Sequence, residues 1–300
     1  MNFNAALFRD AITIFQGIVV EAIPFVILGV LASAFIHVYV SSKTLLKFIP
    51  KSRLGRIFFG PMMGFLFPVC ECGNIPLARR MILKGVPLYV VVGFLLAAPV
   101  FNPIVILATI AAFPNQPQVV LLRIGLSLAI ALTLSGVFSL IKDPKALLNQ
   151  KLAEEKLDEN CSHEPGKPFG KFLRTAGVEF LEMTGMLILG AFIASFFQVV
   201  ISRETLVSLG KGPVSSVMAM MLLAAVISIC SNVDAFFALS YVNHFTFGSV
   251  MAFLVFGPMI DIKVIIMLNK IFRPKVVAYL ATLVTLLSFL IFVFYNLNIS

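Results

Sequence analysis

Charged residues are scarce in this sequence, and several functional motifs are missing. Only 12% of the 300 residues are charged, tryptophan is absent, and there are four cysteines and three histidines. Soluble proteins have roughly 25% charged residues, so a soluble globular protein is excluded. The cysteines lack the spacing of a secreted disulfide framework. Neither G-x-x-x-x-G-K-[ST] nor H-E-x-x-H occurs, so we predict no enzymatic activity and no cofactor.

Apolar residues dominate what is present. They make up 60% of the chain, with 30 phenylalanines and a mean hydropathy of +1.02. A soluble core could not bury them without leaving large apolar patches, so the expected partner is the lipid bilayer. The segments do not alternate as barrel strands do, which predicts an all-α polytopic membrane protein. The net charge of +9 then reflects basic cytoplasmic loops rather than binding of nucleic acid.

Six apolar segments are long enough to cross a bilayer, which needs roughly 20 residues. Two further regions consist of paired shorter arms, which predicts helical hairpins that enter the membrane. The arms are 57–70 and 74–84 around "CECG", and 214–230 and 234–243 around "CSNVD". The predicted spans are 11–40, 86–112, 118–141, 172–201, 246–268 and 276–297.

Loop charge predicts the topology. Lys and Arg are concentrated in 41–56, in 142–174, in 263–275 and at Arg79 and Arg80, whereas 113–118 and 243–245 have none. The positive-inside rule therefore places the N-terminus outside the plasma membrane and the basic connections, with Lys263 and the two arginines as anchors, in the cytoplasm. Three regions follow: a first membrane repeat (1–141), a hydrophilic cytoplasmic linker (142–171) with a short helix near 145–158, and a second, inverted membrane repeat (172–300).

The two halves of the chain resemble each other. "ILG" at 27–29 aligns with "ILG" at 188–190, and Ser202, Thr205 and Leu206 repeat Ser41, Thr44 and Leu45. With three spans and one hairpin in each half, the second half must be inverted, and the two hairpin tips should meet at mid-membrane. The matched polar positions are Glu21 with Glu182, Cys70 with Cys230, Asn74 with Asp234, and Asn102 with Asp261.

The hairpin tips carry the candidate ligands of a metal site. Cys70, Cys72 and Cys230 offer thiols, which select soft ions or metalloids over Mg²⁺ or Ca²⁺. Gly73 would permit a sharp backbone turn between them. The alternative is that these cysteines are small buried apolar residues without a ligand. The full set of predicted substrate-binding residues is Cys70, Glu71, Cys72, Asn74, Asn102, Cys230, Asn232, Asp234 and Asp261.

Other polar residues leave alternatives open. Asn74 and Asp234 could line the pathway or cap the second arm of each hairpin. The breaks "AAPVFNP" and "FGPMIDI" mark either a transport site or plain proline kinks. Glu21 and Glu182 are candidates for proton coupling or ordinary interfacial residues. In the linker, "CSHE" holds Cys161 and His163, a weak metal motif.

The motifs together resemble a known family. "PVCECGNIPLARRMILKGVPLYVVVGFLLAAPVFNP", "CSNVDAFFA" and "MAFLVFGPMIDIK" are similar to the predicted permeases that include organoarsenical efflux permeases, copper/zinc-efflux-like proteins and two-component permeases. The resemblance implies an integral membrane permease, with a second membrane subunit or a second copy as partner left open. The histidine-rich loop of the copper/zinc members is absent here.

Three functions are consistent with the sequence. The leading hypothesis is a secondary transporter that exports a soft metal ion or thiophilic metalloid through a site at the hairpin tips. The second is a membrane metal-delivery or redox subunit of a two-component system, in which the cysteines exchange metal or electrons with a partner. The third is a permease for an organic solute, in which the thiols are incidental.

Overall fold

The computed structural model of the protein describes residues 3–67, 69–141, 143–150, 152, 168–200 and 212–298. The regular structure in these ranges is helical apart from one isolated bridge between Leu148 and Phe272. The first half contains α1 (Phe3–Tyr39), α2 (Ser42–Phe48), α3 (Arg53–Leu66), α4 (Glu71–Leu83), α5 (Leu88–Ala97), α6 (Pro103–Ala112) and α7 (Pro117–Ser139). The second contains α8 (Pro168–Val200), α9 (Pro213–Ile227), α10 (Asp234–Leu239), α11 (Phe247–Phe256), α12 (Ile262–Leu268) and α13 (Pro274–Asn298).

Four of the described helices, α1, α7, α8 and α13, are long and apolar enough to cross a membrane. They confirm four of the predicted spans. The other two predicted spans, 86–112 and 246–268, are each divided into two short helices, α5 with α6 and α11 with α12. Among the described residues, each half therefore has two continuous spans and one broken span, where three continuous spans were predicted. The break follows from the sequence, because Asn102 and Asp261 each start a new helix as its N-cap.

Two short helices flank each of the two predicted hairpin tips. α3 and α4 flank the first tip at 67–70, and α9 and α10 flank the second tip at 228–233. Each arm is too short to cross a bilayer, for which a helix needs roughly 20 residues. Cys70 and Cys230, one in each tip, are buried and belong to the main hydrophobic core of the protein.

Some helix contacts are the same in the two halves. α3 packs against α5 and α7, and the corresponding α9 packs against α11 and α13. Across the halves, α4 packs against α12 and α6 packs against α10, while α1 packs against α8. A polar bond also closes each bundle, from Arg53 to the Ser139 carbonyl at 2.7 Å and from Asn296 to the Pro213 carbonyl at 3.0 Å. These contacts are alike in the two halves, whereas the long helices differ, since α1 packs on α4 and α8 packs on α12.

The repeated "ILG" motif has a packing role in each half. A Cβ atom on Gly29 of α1 would overlap the carbonyl group of Gly73 on α4. A Cβ atom on Gly190 of α8 would lie 3.1 Å from the Cα atom of Lys263 on α12. Glycine is thus needed at position 29 and relieves a tight contact at position 190, because each long helix lies against the backbone of a short helix.

The described part of the linker is attached to the second half. Pro144–Leu147 forms a 3₁₀ turn, and Asn149 then donates to the Asn269 carbonyl at 2.6 Å. α8 begins at Pro168, inside the segment 142–171 predicted as linker. Half of the predicted 145–158 helix lies outside the described residues, as do the Cys161/His163 motif and the repeat positions Ser202, Thr205 and Leu206.

Candidate functional site

A group of three side chains joins the two hairpin tips. Cys70, Glu71 and Cys230 are all buried, and their ligand atoms lie within 4.8 Å of one another. We refer to these residues as the thiol–carboxylate cluster. The tips place them alike, because the Cys70 carbonyl accepts from the Asn74 N–H at 3.0 Å and the Cys230 carbonyl from the Asp234 N–H at 3.2 Å. The predicted meeting of the two tips is thus observed.

Hydrogen bonds orient the thiol–carboxylate cluster. Glu71 Oε2 accepts from Ser231 Oγ at 3.3 Å and lies 3.9 Å from the Cys230 thiol donor. Asn232 Nδ2 donates to Cys230 Sγ at 3.6 Å, which places this predicted site residue beside the cluster. Cys72 is buried but is not within the 4.8 Å group. Two thiols and one carboxylate form a donor set that suits a three-coordinate soft ion.

A lysine lies between two carboxylates on the other side of Glu71. Lys263 Nζ is 3.5 Å from Glu71 Oε1 and 3.7 Å from Asp261 Oδ2. We refer to Glu71, Asp261 and Lys263 as the acid–lysine group. The interpretation of Lys263 as a cytoplasmic loop charge is wrong, because its side chain is only 2% exposed and belongs to the site. Its position beside Asp261, at the start of the short helix α12, brings it to α4.

The two helix breaks position the site from either half. Asn102 Oδ1 accepts from the Ile104 N–H at 2.9 Å and so caps α6, while its Nδ2 donates to the Val69 carbonyl at 3.3 Å. Asp261 Oδ1 accepts from the Val264 N–H at 2.6 Å and caps α12. Asn102 therefore fixes the position of Val69, the residue before Cys70. Asp261 places its second carboxylate oxygen beside Lys263.

Asp234 forms a buried ion pair with a residue that the sequence reasoning missed. Arg123 Nη2 donates to Asp234 Oδ2 at 2.5 Å, and Arg123 Nη1 donates to Thr109 Oγ1 at 2.8 Å. The signal was available, because Arg123 lies inside the predicted span 118–141, where an ionisable residue is costly. The pair links α7 of the first half to α10 of the second.

The capping role considered for Asn74 and Asp234 is wrong. α4 begins at Glu71 with Cys70 as its N-cap, so Asn74 lies inside the first turns rather than at the end. Its side-chain nitrogen and oxygen are buried and have no hydrogen-bond partner among the described residues. Gly73 is likewise helical and provides close packing against Phe25 of α1 instead of a sharp turn.

Glu21 and Glu182, the two matched glutamates, have different surroundings. Glu182 is 38% exposed and accepts from Arg79 at 3.0 Å. Glu21 lies on α1, which packs against α4, and its Oε1 is buried without a hydrogen-bond partner among the described residues. Glu182 is therefore paired with Arg79, whereas Glu21 has a buried carboxylate oxygen on the helix beside α4.

The two arginines expected as topology anchors are engaged in ion pairs with α8. Arg79 pairs with Glu182, and the buried Arg80 donates to Glu179 and contacts His37 Nδ1 at 2.9 Å. Glu179 was not singled out from the sequence, although it lies only three residues before Glu182. These pairs bind α4 to the second half at the end of the helix remote from Glu71.

Comparison with known proteins gives the family. A family model described as "Predicted permease" (ArsP_1) matches residues 7–297. "UPF0718 protein YcgR" of Bacillus subtilis (strain 168) is 42% identical over 286 residues, which cover 92% of this chain and 93% of that protein. The "Putative two-component membrane permease complex subunit" of Streptococcus mutans serotype c (strain ATCC 700610 / UA159) is 37% identical over 267 residues, which cover 89% of this chain and 88% of that protein. No solved structure matches the chain at a significant level. With its apolar helices, the chain is a multi-pass membrane protein that belongs to the predicted permease family ArsP_1.

Proposed function

We propose that the protein is a secondary transporter that exports a soft metal ion or thiophilic metalloid across the plasma membrane. The thiol–carboxylate cluster carries this proposal, because two thiols and a carboxylate from both halves converge within 4.8 Å in the buried centre. Thiolates prefer Cu(I), Zn²⁺ or similar soft species over Mg²⁺ and Ca²⁺. Membership of a permease family supports movement of a solute rather than its storage.

The proposed architecture is a pair of inverted repeats, with the N-terminus outside and the linker in the cytoplasm. In this arrangement the first hairpin enters from the cytoplasm and the second from outside. Broken helices at corresponding positions of two halves are typical of transporter sites near the bilayer midplane. The breaks before α6 and α12 fit this pattern, and each is capped by a polar side chain, from Asn102 or Asp261.

Ion pairs between the halves provide the proposed gates. In the proposed orientation, Arg80 with Glu179 closes the cytoplasmic side and Arg123 with Asp234 closes the outer side. Arg80 is nine residues after Glu71 on α4, which corresponds to about 13.5 Å along a helix. In a buried ion pair, the cost of removing both charges from water nearly cancels their attraction. A pair that separates into a water-filled vestibule therefore opens at little cost.

The energy source in this proposal is an ion gradient, since the chain has no phosphate-binding loop. Glu21 is the proposed coupling residue, because its Oε1 is buried and it lies on α1, the long helix that packs against α4. Glu182 is the weaker candidate for this role, because it already pairs with Arg79.

The test is transport of Ag⁺, Cd²⁺ and a trivalent arsenical into inside-out vesicles. Cys70→Ser and Cys230→Ser should abolish accumulation of the transported species, because each removes a ligand of the cluster. Cys161→Ser is the matched control and should transport like the wild type. Cys72→Ser tests whether Glu71 or Cys72 is the third ligand. Activity should persist in this variant if Glu71 is that ligand. Unchanged rates in both cluster variants would show that the thiols do not bind the solute.

A second candidate function is suggested by the name of one relative. That protein is called a subunit of a two-component membrane permease complex, so this chain could equally deliver metal or electrons to a second membrane subunit. Flux of Ag⁺ or Cd²⁺ into proteoliposomes that contain this chain alone would favour the transporter. Metal binding without flux, with flux restored by a co-purifying membrane protein, would favour the two-component alternative.

A further inference from the structure

The acid–lysine group has a feature that the proposed function does not explain. Lys263, Glu71 and Asp261 are all at most 3% exposed, so a permanent ammonium group has been placed beside the cluster that binds the cargo. A buried ammonium is costly unless it is paired, and here it has two carboxylates rather than one. A simple structural pair would need only one acid.

The lysine is placed to move between its two partners. Its Nζ is 3.5 Å from Glu71 Oε1 and 3.7 Å from Asp261 Oδ2, so neither contact is a tight hydrogen bond. Both oxygens are buried and neither has a hydrogen-bond partner among the described residues. A small change in the lysine side chain would therefore strengthen one ion pair at the expense of the other.

Glu71 also faces the thiols through its second oxygen. Oε2 lies beside Cys230 and Ser231, while Oε1 faces Lys263. A cation bound by the thiols and Glu71 would therefore neutralise the same carboxylate that the lysine neutralises in the empty site. The displaced ammonium would still have Asp261 as a partner, so neither carboxylate would be left unpaired when the cargo enters. A thiol that binds the cargo as a thiolate would release its proton to the solution on the open side of the carrier.

We infer that Lys263 is the internal counter-cation of the empty site, and that the cargo which displaces it from Glu71 is a soft metal cation rather than a neutral solute. This inference rests on the proposed function. With Lys263 in place, the empty site carries one net negative charge instead of two, which lowers the cost of its return across the membrane without a bound ion. A neutral solute would add no charge beside Glu71 and would leave the ammonium where it is.

The test separates net transport from exchange in proteoliposomes of the purified full-length chain. Radioactive Ag⁺, in nitrate buffer, is followed from the loaded vesicles into Ag⁺-free solution or into solution with unlabelled Ag⁺. Net efflux requires the empty carrier to return, whereas exchange requires only the loaded one. Removing the ammonium with Lys263→Met leaves two unpaired carboxylates in the empty site and one fewer in the loaded site.

For Lys263→Met we expect net efflux to fall about tenfold or more, as an added barrier of 1.4 kcal/mol would produce. Exchange should fall less, because only the empty site of the variant holds two unpaired carboxylates that repel each other. Lys263→Arg keeps the charge and should retain both modes. The double variant Lys263→Met/Asp261→Asn has the formal charge of the wild-type group again, so it should recover net efflux. Asparagine can still cap α12, which preserves the helix start at position 261.

Three results would overturn the inference. Equal losses of net efflux and exchange in Lys263→Met would show a merely structural role, and equal wild-type rates would show no role. A neutral trivalent arsenical transported in preference to Ag⁺, with both modes equally sensitive to Lys263→Met, would exclude a cationic cargo. If the wild type moves neither Ag⁺ nor the arsenical in either mode, the proposed function itself fails, and the assignment of Lys263 fails with it.

Discussion

The buried pair of Arg123 and Asp234 makes a quantitative prediction about stability. Arg123 Nη2 lies 2.5 Å from Asp234 Oδ2, and the two side chains are 1% and 3% exposed, so the pair is fully removed from solvent. Removing one partner of such a pair costs about 3–5 kcal/mol, because the other charge remains buried and unpaired. Removing both partners costs less than the sum, since no charge is then left behind.

The structure also predicts which of the two single variants is less stable. In Asp234→Asn, Arg123 still donates to Thr109 Oγ1 at 2.8 Å. In Arg123→Met, Asp234 loses its arginine, and its Oδ1 has no other hydrogen-bond partner among the described residues. Arg123→Met should therefore lower the free energy of unfolding more than Asp234→Asn does. The double variant should be more stable than Arg123→Met alone.

Thermal unfolding in detergent, followed with a thiol-reactive coumarin maleimide, is a suitable assay. The protein has no tryptophan to report on its core, whereas Cys70, Cys72 and Cys230 are buried and react only on opening. A Cys161→Ser background removes the linker thiol. Lys47→Gln, an exposed loss of charge on α2, is the control and should change stability by less than about 0.5 kcal/mol. Additive losses, or single variants as mild as this control, would refute the reasoning.

Three further predictions concern packing and geometry. Gly29→Ala should destabilise the protein by about 1–3 kcal/mol through overpacking, whereas Gly17→Ala, with open space around it, should not; equal melting temperatures would contradict this. Asn102→Ala should cost about 1 kcal/mol of stability through the lost cap and should speed alkylation of Cys70; unchanged melting and labelling would contradict it. With a protease site in the linker, mild oxidation should join the cleaved halves through Cys70 and Cys230, and halves that separate without reductant would argue against the cluster.

Much of the helical arrangement could be predicted from the sequence, because its determinants are local. Long apolar runs gave α1, α7, α8 and α13, and prolines with a following or preceding polar residue marked the breaks before α6 and α12. The repeat located the two tips relative to each other without any knowledge of their chemistry. The predicted proximity of the tips rested on an assumed inverted symmetry, which places matched segments at one interface.

The electrostatic partners were harder to predict, because each depends on contacts between distant helices. Lys263 follows a helix break, and counting Lys and Arg in the loops assigned it to the cytoplasm. Such a count contains no information on how α12 packs against α4. Arg123 was overlooked because its partner Asp234 is 111 residues away. The caps expected at Asn74 and Asp234 were displaced because the second arm of the first hairpin starts at Glu71, and Asp234 is occupied by Arg123.

The bond between Glu71 and Ser231 has a consequence for how such a protein could have arisen. The offset that matches Cys70 with Cys230 also matches Glu71 with Ser231, so this carboxylate accepts from its own counterpart in the other half. Two identical halves would place two glutamates opposite each other, and the negative charges of these glutamates would repel. If the halves descend from one duplicated ancestor, the exchange of one acid for a hydroxyl made them complementary, and from that point neither half could replace the other.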